Sequence, residues 1–322
     1  MVQCTPGGDK GNFVLVVANR NREDRSKHGL VQYVRDNSQN PGVWSGPHML
    51  YPGEWDGVSI FEDNRNVFFQ FAAVQSTGVD DGQLWWFRNQ ALYPPAMEKS
   101  AERPSPQPVI IQGNNCQGTP AIVDTEDSFV LELVVPGVGQ SDMQHFTWNN
   151  TEWVKTAAFG HSEAVLGVSM IKSFFHHLEL VAVQWTNSGL GDLIHYFYNF
   201  DTKQWQKTAL IGTNFQGNPA LIQSDIGRNG NFEVVAARRG GGLTHFGRNN
   251  DAPPFPWNQP DNFGGKEGGK EIDYKAVSLI ESNVNARGEL YVAAVRSDND
   301  TVDIYKRSPG PQYTWSGPTN IG

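Results

Sequence analysis

The feature that most restricts how this chain can fold is a repeat of about fifty residues running along it. Three segments show it best: Phe129 to Gly160, LELVAVQWTNSGLGDLIHYFYNFDTKQWQKTALIG (Leu178 to Gly212) and NFEVVAARRGGGLTHFGRNNDAPPFPWNQPDNFG (Asn231 to Gly264). Each has an apolar strand, a turn, a second strand with His followed by an aromatic, a polar loop and one Trp. His145, His195 and His245 are spaced 50 and 50, and Trp153, Trp205 and Trp257 are spaced 52 and 52. A fixed period of this length implies a repeat architecture.

Weaker copies fall into register at Asn12 to Tyr51, Val67 to Gln90 and Glu289 to Gly322. Their second-strand aromatics extend the series to Tyr33, Trp86, Phe146, Tyr196, Phe246 and Tyr305. Trp44 and Trp315 join the Trp series; in the second copy Tyr93-Pro94-Pro95 and a Pro-rich insert (Pro95 to Pro108) replace it. A further short apolar run lies between copies, at Gly57 to Asp63, Pro120 to Glu126, Gly167 to Ser173, Pro219 to Asp225 and Ala276 to Ser282, with Val2-Gln3-Cys4-Thr5 as a degenerate sixth. Each unit therefore reads as four strands, rich in Val, Leu, Ile and aromatics and separated by Gly, Asn, Asp and Pro. No stretch of ten residues has helical period.

Four-strand units of this length, repeated radially, make a β-propeller. A solenoid would use shorter repeats and capped ends. The expected fold is all-β, a six-bladed β-propeller of four-stranded antiparallel blades. It would form one domain over 1–322, with blades near 1–55, 56–113, 114–160, 161–212, 213–264 and 265–322.

The formal net charge of −9 and pI of about 5.4 argue against nucleic acid or an anionic membrane as partner, since both require clustered Lys and Arg. No apolar run approaches the ~20 residues of a membrane span, so no membrane insertion is expected. MVQCTPGGDKGN lacks the apolar core of a signal peptide, which leaves a cytoplasmic protein, a non-classical export route, or a chain shown without its leader. Cys4 and Cys116 are too few for a disulfide scaffold and have no metal spacing. Two ordinary thiols are expected, although both lie near inner strands of neighbouring blades, where one bridge would be feasible.

The three His residues look like a metal triad, but equivalent positions on adjacent blades would stand at least about 10 Å apart. A zinc ion needs each nitrogen within about 2.1 Å. No metal is expected. What remains is three copies of one His-containing ligand site, or three His residues packed on the next blade. The repeated Trp residues would fill the wedge between blades or stack on the apolar faces of sugar rings. Trp148 and Tyr198 align with Arg35, Arg88, Arg248 and Arg307, a position suited to polar ring ligands. At the ends of the short runs, Glu62, Asp124, Lys172, Gln223 and Glu281 would converge on one mouth of a central channel, as a polar site or a solvated rim. The preceding Ser59, Ala121, Ser169, Ala220 and Ser278 are all small, as crowding there requires.

The segment Asp225 to Glu233 lacks the alternating carboxylates of a calcium loop and reads as a hairpin turn. Gly264 to Lys270 is Gly-rich with two Lys but has no following Ser or Thr, so it reads as a loop. No nucleophile, zinc-protease, Walker or dinucleotide motif occurs. Asn149-Asn150-Thr151 and Asn299-Asp300-Thr301 fit the glycosylation triplet.

The units GNFEVVAARRGGGLTHFGRNN…W and LELVAVQW…DLIHYFYN…W resemble the repeats of propeller lectins, the fucose-binding lectins of fungi and bacteria and related bacterial lectins. The resemblance covers nearly the whole chain. It implies sugars held in grooves between blades by an Arg or Glu and an aromatic, with several similar sites per molecule. The Arg…Glu…Trp triplet of the fucose type is not reproduced at constant spacing. Glu132, Glu179 and Glu233 recur on the first long strand, where the other copies have Val14, Gln70 and Tyr291.

The leading expectation is a multivalent carbohydrate-binding protein, without cofactor, whose partners are glycans or glycoconjugates. Its candidate ligand residues are His145, Trp148, Trp153, His195, Tyr198, Trp205, His245, Arg248 and Trp257. An enzyme at one channel mouth is the alternative, with Glu62, Asp124, Lys172 and Glu281 as acid–base groups and the Pro95–Pro108 insert as a lid. A protein-interaction scaffold is the third.

Overall fold

The computed structural model of the chain describes residues 1–4, 11–20, 25–39, 42–63, 68–76, 82–90, 108–111, 115–125, 130–138, 142–160, 164–186, 191–282, 288–309 and 313–321. The side chain of Cys4 and, except for Pro108, the insert of the second copy lie outside these residues.

The protein is all-β, built from six four-stranded antiparallel sets that resemble propeller blades. Unit 1 holds β1 (Val2–Cys4), β2 (Asn12–Asn19), β3 (Gly29–Asp36) and β4 (Val43–Pro52), and unit 2 holds β5 (Trp55–Asp63), β6 (Phe68–Ser76), β7 (Gly82–Gln90) and β8 (Val109–Ile110). Unit 3 holds β9 (Ala121–Asp124), β10 (Leu131–Pro136), β11 (Met143–Trp148) and β12 (Trp153–Phe159). Unit 4 begins with β13 (Val165–Lys172), β14 (Leu178–Trp185) and β15 (Gly191–Asn199). The long β16 (Gln204–Gln223) closes unit 4 with its first half and opens unit 5 with its second, beside β17 (Phe232–Arg238), β18 (Leu243–Arg248) and β19 (Asp261–Phe263). A two-stranded hairpin, β20 (Lys266–Glu267) and β21 (Lys270–Glu271), precedes unit 6, which holds β22 (Tyr274–Ser282), β23 (Glu289–Arg296), β24 (Val302–Arg307) and β25 (Trp315–Ile321). No helix is long and apolar enough to cross a membrane among the described residues.

The middle strands of each unit are nearly continuous apolar runs because both of their faces are covered. Side chains alternate across a strand, so one strand feeds two cores. In β14, Leu178, Leu180 and Ala182 pack with unit 3, while Val181 and Val183 pack with unit 5. In β2, Val14 and Val16 pack with unit 2, whereas Phe13, Leu15 and Val17 pack with unit 6. The apolar clusters among the described residues each join two units: 1 with 2, 2 with 3, 3 with 4, 4 with 5, 5 with 6, and 6 with 1. A Val, Leu or Phe buried this way contributes about 1.5–3 kcal/mol.

The first strands approach one another at their starts. Asn218 and Ala276 form a parallel bridge, as do Thr119 and Gly167. At Gly217 (φ +65°) a Cβ would lie 1.9 Å from the Lys275 carbonyl oxygen, so only glycine fits. The three serines among the small residues of these strands have a bonding role. Ser59 Oγ accepts from Ile122 N (3.4 Å), Ser169 Oγ from Leu221 N (3.0 Å), and Ser278 Oγ from the Met1 amino group (2.7 Å). Each joins a unit to the next, and the last joins unit 6 to unit 1.

Candidate functional site

Three units place the same chemistry at the same boundary. On the second strand a Glu, and on the third strand a His, face the following unit. Glu132 Oε2 lies 2.8 Å from His145 Nε2, Glu179 Oε2 lies 2.8 Å from His195 Nε2, and Glu233 Oε2 lies 2.6 Å from His245 Nε2. The pairing follows from register, since Val134, Val181 and Val235 sit opposite the three His residues and each Glu stands two places earlier on the same face. All six side chains are buried, where a charged or polar group must be paired. Each His therefore meets its own carboxylate, and the three do not share a centre.

The Trp that closes each cluster comes from the following unit. Trp205 of unit 4 meets His145 edge-on at 5.5 Å, Trp257 of unit 5 meets His195 at 5.6 Å, and Trp315 of unit 6 lies 5.6 Å from His245. Trp153 of unit 3 packs likewise on Trp86 of unit 2, at 5.4 Å. Trp44 of unit 1 packs into the cluster shared with unit 6. The position three residues after His joins from the same side. Trp148 packs on Trp86 (4.7 Å), Tyr198 lies edge-on to His145 (5.0 Å), and Arg307 Nη1 reaches Glu233 Oε2 (3.2 Å). Arg248 spans the rings of Phe232, Phe255 and Trp257 at 4.1, 5.8 and 5.9 Å. A His and a Trp of one repeat copy thus belong to different clusters, which the repeat pattern alone does not reveal.

Register also moves Trp86. Ala72, two places after Gln70, sits opposite Trp86, so Trp86 occupies the His position and Phe87 the following aromatic position. Aligning Trp86 with Phe146 is off by one residue, which in a strand exchanges the faces. Accordingly Trp86 packs toward unit 3, with Nε1 donating to Gln70 Oε1 (3.1 Å), and Phe87 packs toward unit 1.

A bulge after the His sets the last strand. In units 3 and 4 one extra residue, Thr156 or Thr208, is inserted opposite the His–aromatic step, and its hydroxyl donates to the His145 or His195 carbonyl (3.3 and 3.0 Å). In units 1 and 6 the Gly46-Pro47 and Gly317-Pro318 pairs fill that place. Such bulges re-aim a strand, and here they bring the Trp onto the neighbouring unit.

Hydrogen bonding distinguishes the clusters. Trp205 Nε1 can only donate, and it does so to His145 Nδ1 (3.2 Å). His145 is therefore the Nε2–H tautomer and donates to Glu132. His195 Nδ1 instead lies 2.7 Å from the Thr208 hydroxyl, which can accept as well as donate. In the third cluster burial alone would raise the Glu233 carboxyl. The bond from His245 and the nearby Arg307 charge outweigh burial and hold it below the usual carboxylate range. Arg307 is itself buried, and its Nε and Nη2 have no hydrogen-bond partner.

Two of these boundaries open as grooves. Groove 3/4, about 610 Å³, is lined by Ala157–Gly160 of unit 3 and by Gln184, Asp192, Tyr196, Lys203, Trp205 and Lys207 of unit 4. Groove 4/5, about 620 Å³, is lined by His195 and Thr208–Ile211 of unit 4 and by Arg248 and Pro254–Pro260 of unit 5.

A third cavity, of about 1010 Å³, is lined by the first strands of all six units. Arg20, Asp56, Lys275 and Asp300 form ion pairs at the starts of these strands. Glu62, Gln223 and Glu281 line the cavity at the strand ends, whereas Asp124 and Lys172 do not. Several end residues tie adjacent units together. Lys172 donates to the Thr125 carbonyl, Phe174 N donates to Gln223 Oε1 (2.7 Å), and Asp225 N donates to Glu281 Oε2 (2.6 Å). Burial raises the Glu281 carboxyl. Cys116 is buried, and burial pushes its thiol up to about 12.

No protein-family model and no curated protein sequence matches the chain. Its fold is similar to solved structures of low sequence identity. A variant of AofleA from Arthrobotrys oligospora is 10% identical at a TM-score of 0.60, covering 99% of this chain and 92% of that one. A variant of Aleuria aurantia lectin in complex with α-methyl-L-fucoside is 10% identical at a TM-score of 0.55, covering 96% and 95%. The periplasmic gluconolactonase PpgL of Pseudomonas aeruginosa is 12% identical at a TM-score of 0.54, covering 97% and 96%.

Proposed function

We propose that the six units close into one six-bladed propeller domain over 1–322, whose inter-blade grooves bind carbohydrate at several sites per chain. Three features support closure. Unit 6 shares an apolar cluster with unit 1, Trp44 packs backward onto unit 6 as the other Trp residues do onto their predecessors, and Met1 bonds Ser278 as the other first strands bond theirs. The observation that carries the binding reading is the repetition of the Glu–His–Trp cluster, with Trp205 and Trp257 each lining a groove of sugar-accommodating size. In this reading the buried Glu–His pairs hold the walls, and the ligand meets Trp edges, Tyr196, Thr208 and Arg248. Repeated weak sites on one rigid body gain avidity without new contacts. Likeness to a lectin that holds α-methyl-L-fucoside makes fucosides the first probes.

A glycan array followed by calorimetry tests this. More than one sugar bound per chain is the expected result. Failure of the folded protein to bind any glycan would overturn it.

A second reading places one active site in the central cavity, at the ends of the first strands. Its supporting observation is Glu281, a residue lining that cavity whose carboxyl is raised by burial. A single bound molecule per chain, lost in Glu281→Gln and kept in Trp205→Ala and Trp257→Ala, would favour it.

A further inference from the structure

Groove 4/5 departs from the repeat in two independent ways, and both add aromatic surface to the same place. The first lies in unit 5. Where unit 4 continues as a regular strand around Trp205, unit 5 has an irregular, Pro-rich segment, Asp251 to Pro260, that projects Phe255 at 37% exposure. The segment is firmly tied down. Arg228 N and Asn229 N donate to the Asp251 carboxylate (2.7 and 2.8 Å), and Asn258 N donates to the Gly247 carbonyl (2.7 Å).

The second lies in unit 4. The turn between β13 and β14 carries Phe174 and Phe175, and Phe174 is 68% exposed. This turn is also fixed, by Ser173 N to His177 O, His176 N to Ser173 O, and Phe174 N to Gln223 Oε1. The corresponding turn of unit 5, Asp225 to Gly230, has no aromatic.

These rings form a row. Phe174 and Phe175 are 6.4 Å apart and Phe175 and Phe255 6.3 Å, while Phe255 and Trp257 line one groove with Arg248 at 5.8 and 5.9 Å from their rings. Leu210, 55% exposed, lies on the opposite wall. Phe175 is half-buried against the apolar cluster of units 4 and 5, but the exposed Phe174 and Phe255 rings beside it add little to the core. The row suits a ligand with successive flat apolar faces. A pyranose with equatorial hydroxyls has such faces, and linking pyranoses repeats them at intervals close to the ring spacing. One sugar would cover one ring of the row; the remainder calls for a chain. Asn258 and Gln259 supply hydroxyl partners along the same wall.

We propose that groove 4/5 binds a linear chain of several equatorially substituted pyranoses, with Phe255, Phe175 and Phe174 as stacking subsites beyond Trp257. The proposal rests on the carbohydrate reading and adds chain length to it; groove 3/4 takes a single sugar.

The test is calorimetry with cello- and chito-oligosaccharides of one to five units, together with methyl fucoside, on the full chain and on Phe174→Ala. Affinity should rise about tenfold or more from the monomer to the longer chains, as burial of one further phenyl implies. Phe174→Ala should remove that gain and leave monosaccharide binding unchanged. Because Phe174 is exposed, the variant should melt like the parent. Monosaccharide binding with no gain for longer chains, or a Phe174→Ala variant that keeps the full gain, would overturn the extended site while leaving the carbohydrate reading intact. A folded protein that binds neither monomers nor chains would overturn both.

Discussion

Grooves 3/4 and 4/5 share a polar interior and differ in their walls. Both have a buried Glu–His pair, a Thr bulge and an edge-on Trp from the next unit. Groove 3/4 is walled by a regular strand with Lys207 and the turn residue Lys203, whereas groove 4/5 is walled by a Pro-rich segment with Phe255, beside Arg248 at the end of β18. The comparison teaches that the repeat preserves the parts holding two units together, and that variety enters where a wall meets solvent. The buried pair must be satisfied wherever it occurs. The exposed wall is under no such demand, so one groove can change without disturbing the other.

Removing the carboxylate should give the largest effect, and the same one in both grooves. Glu132→Ala and Glu179→Ala each leave a buried His without its partner, a change that costs about 1–3 kcal/mol. Urea titration should show equal shifts; a loss confined to one variant would break the equivalence. Ligand binding should then separate the grooves. Trp205→Ala and Trp257→Ala should each lower calorimetric stoichiometry by one sugar, and affinity at the changed groove should fall about tenfold or more. A smaller pH effect belongs to the third pair. The Glu233 carboxyl is held below its ordinary range in the folded protein, so its stabilisation is complete above that range and is lost as pH falls through the depressed folded value. Acid unfolding followed by circular dichroism should therefore be flatter in Glu233→Gln than in the parent. The smallest expected change sharpens the comparison at one hydrogen bond. Trp205→Phe keeps an aromatic ring at that place but removes the donor to His145 Nδ1, at a cost of about 1 kcal/mol. Nitrogen NMR should find His145 Nδ1 without a proton in the parent and a change of tautomer population in the variant.

Much of the fold is legible in the residues. Strand alternation, the 50- and 52-residue spacings and the short runs before each copy point to the same six four-stranded sets that the structure contains. The recurrence of WSGP at Trp44 and Trp315 and of WVKT and WQKT at Trp153 and Trp205 even marks the bulge, since Gly-Pro or Thr fills one geometric place. The candidate site was legible only as a parts list. Spacing reports which residues recur and not which copy they face, so His145 pairs by proximity of sequence with Trp153 and in space with Trp205. Glu132, Glu179 and Glu233 recur as visibly as the His residues. Their pairing needed strand register, and a one-residue error such as that at Trp86 reverses it. Phe174 has no aromatic counterpart in the other copies and Phe255 has one in Tyr313, two places before Trp315, so periodicity does not single them out.

Each cluster takes its Glu and His from one unit and its Trp from the next, which puts the unit that is copied out of phase with the site that is built. An ancestral gene encoding a single repeat would have encoded two unmatched half-sites, useful only when several copies assembled side by side. Inheritance of a finished site therefore required either association of short chains or fusion of their genes. A deletion that excises one whole repeat would join the halves flanking it into a new hybrid groove.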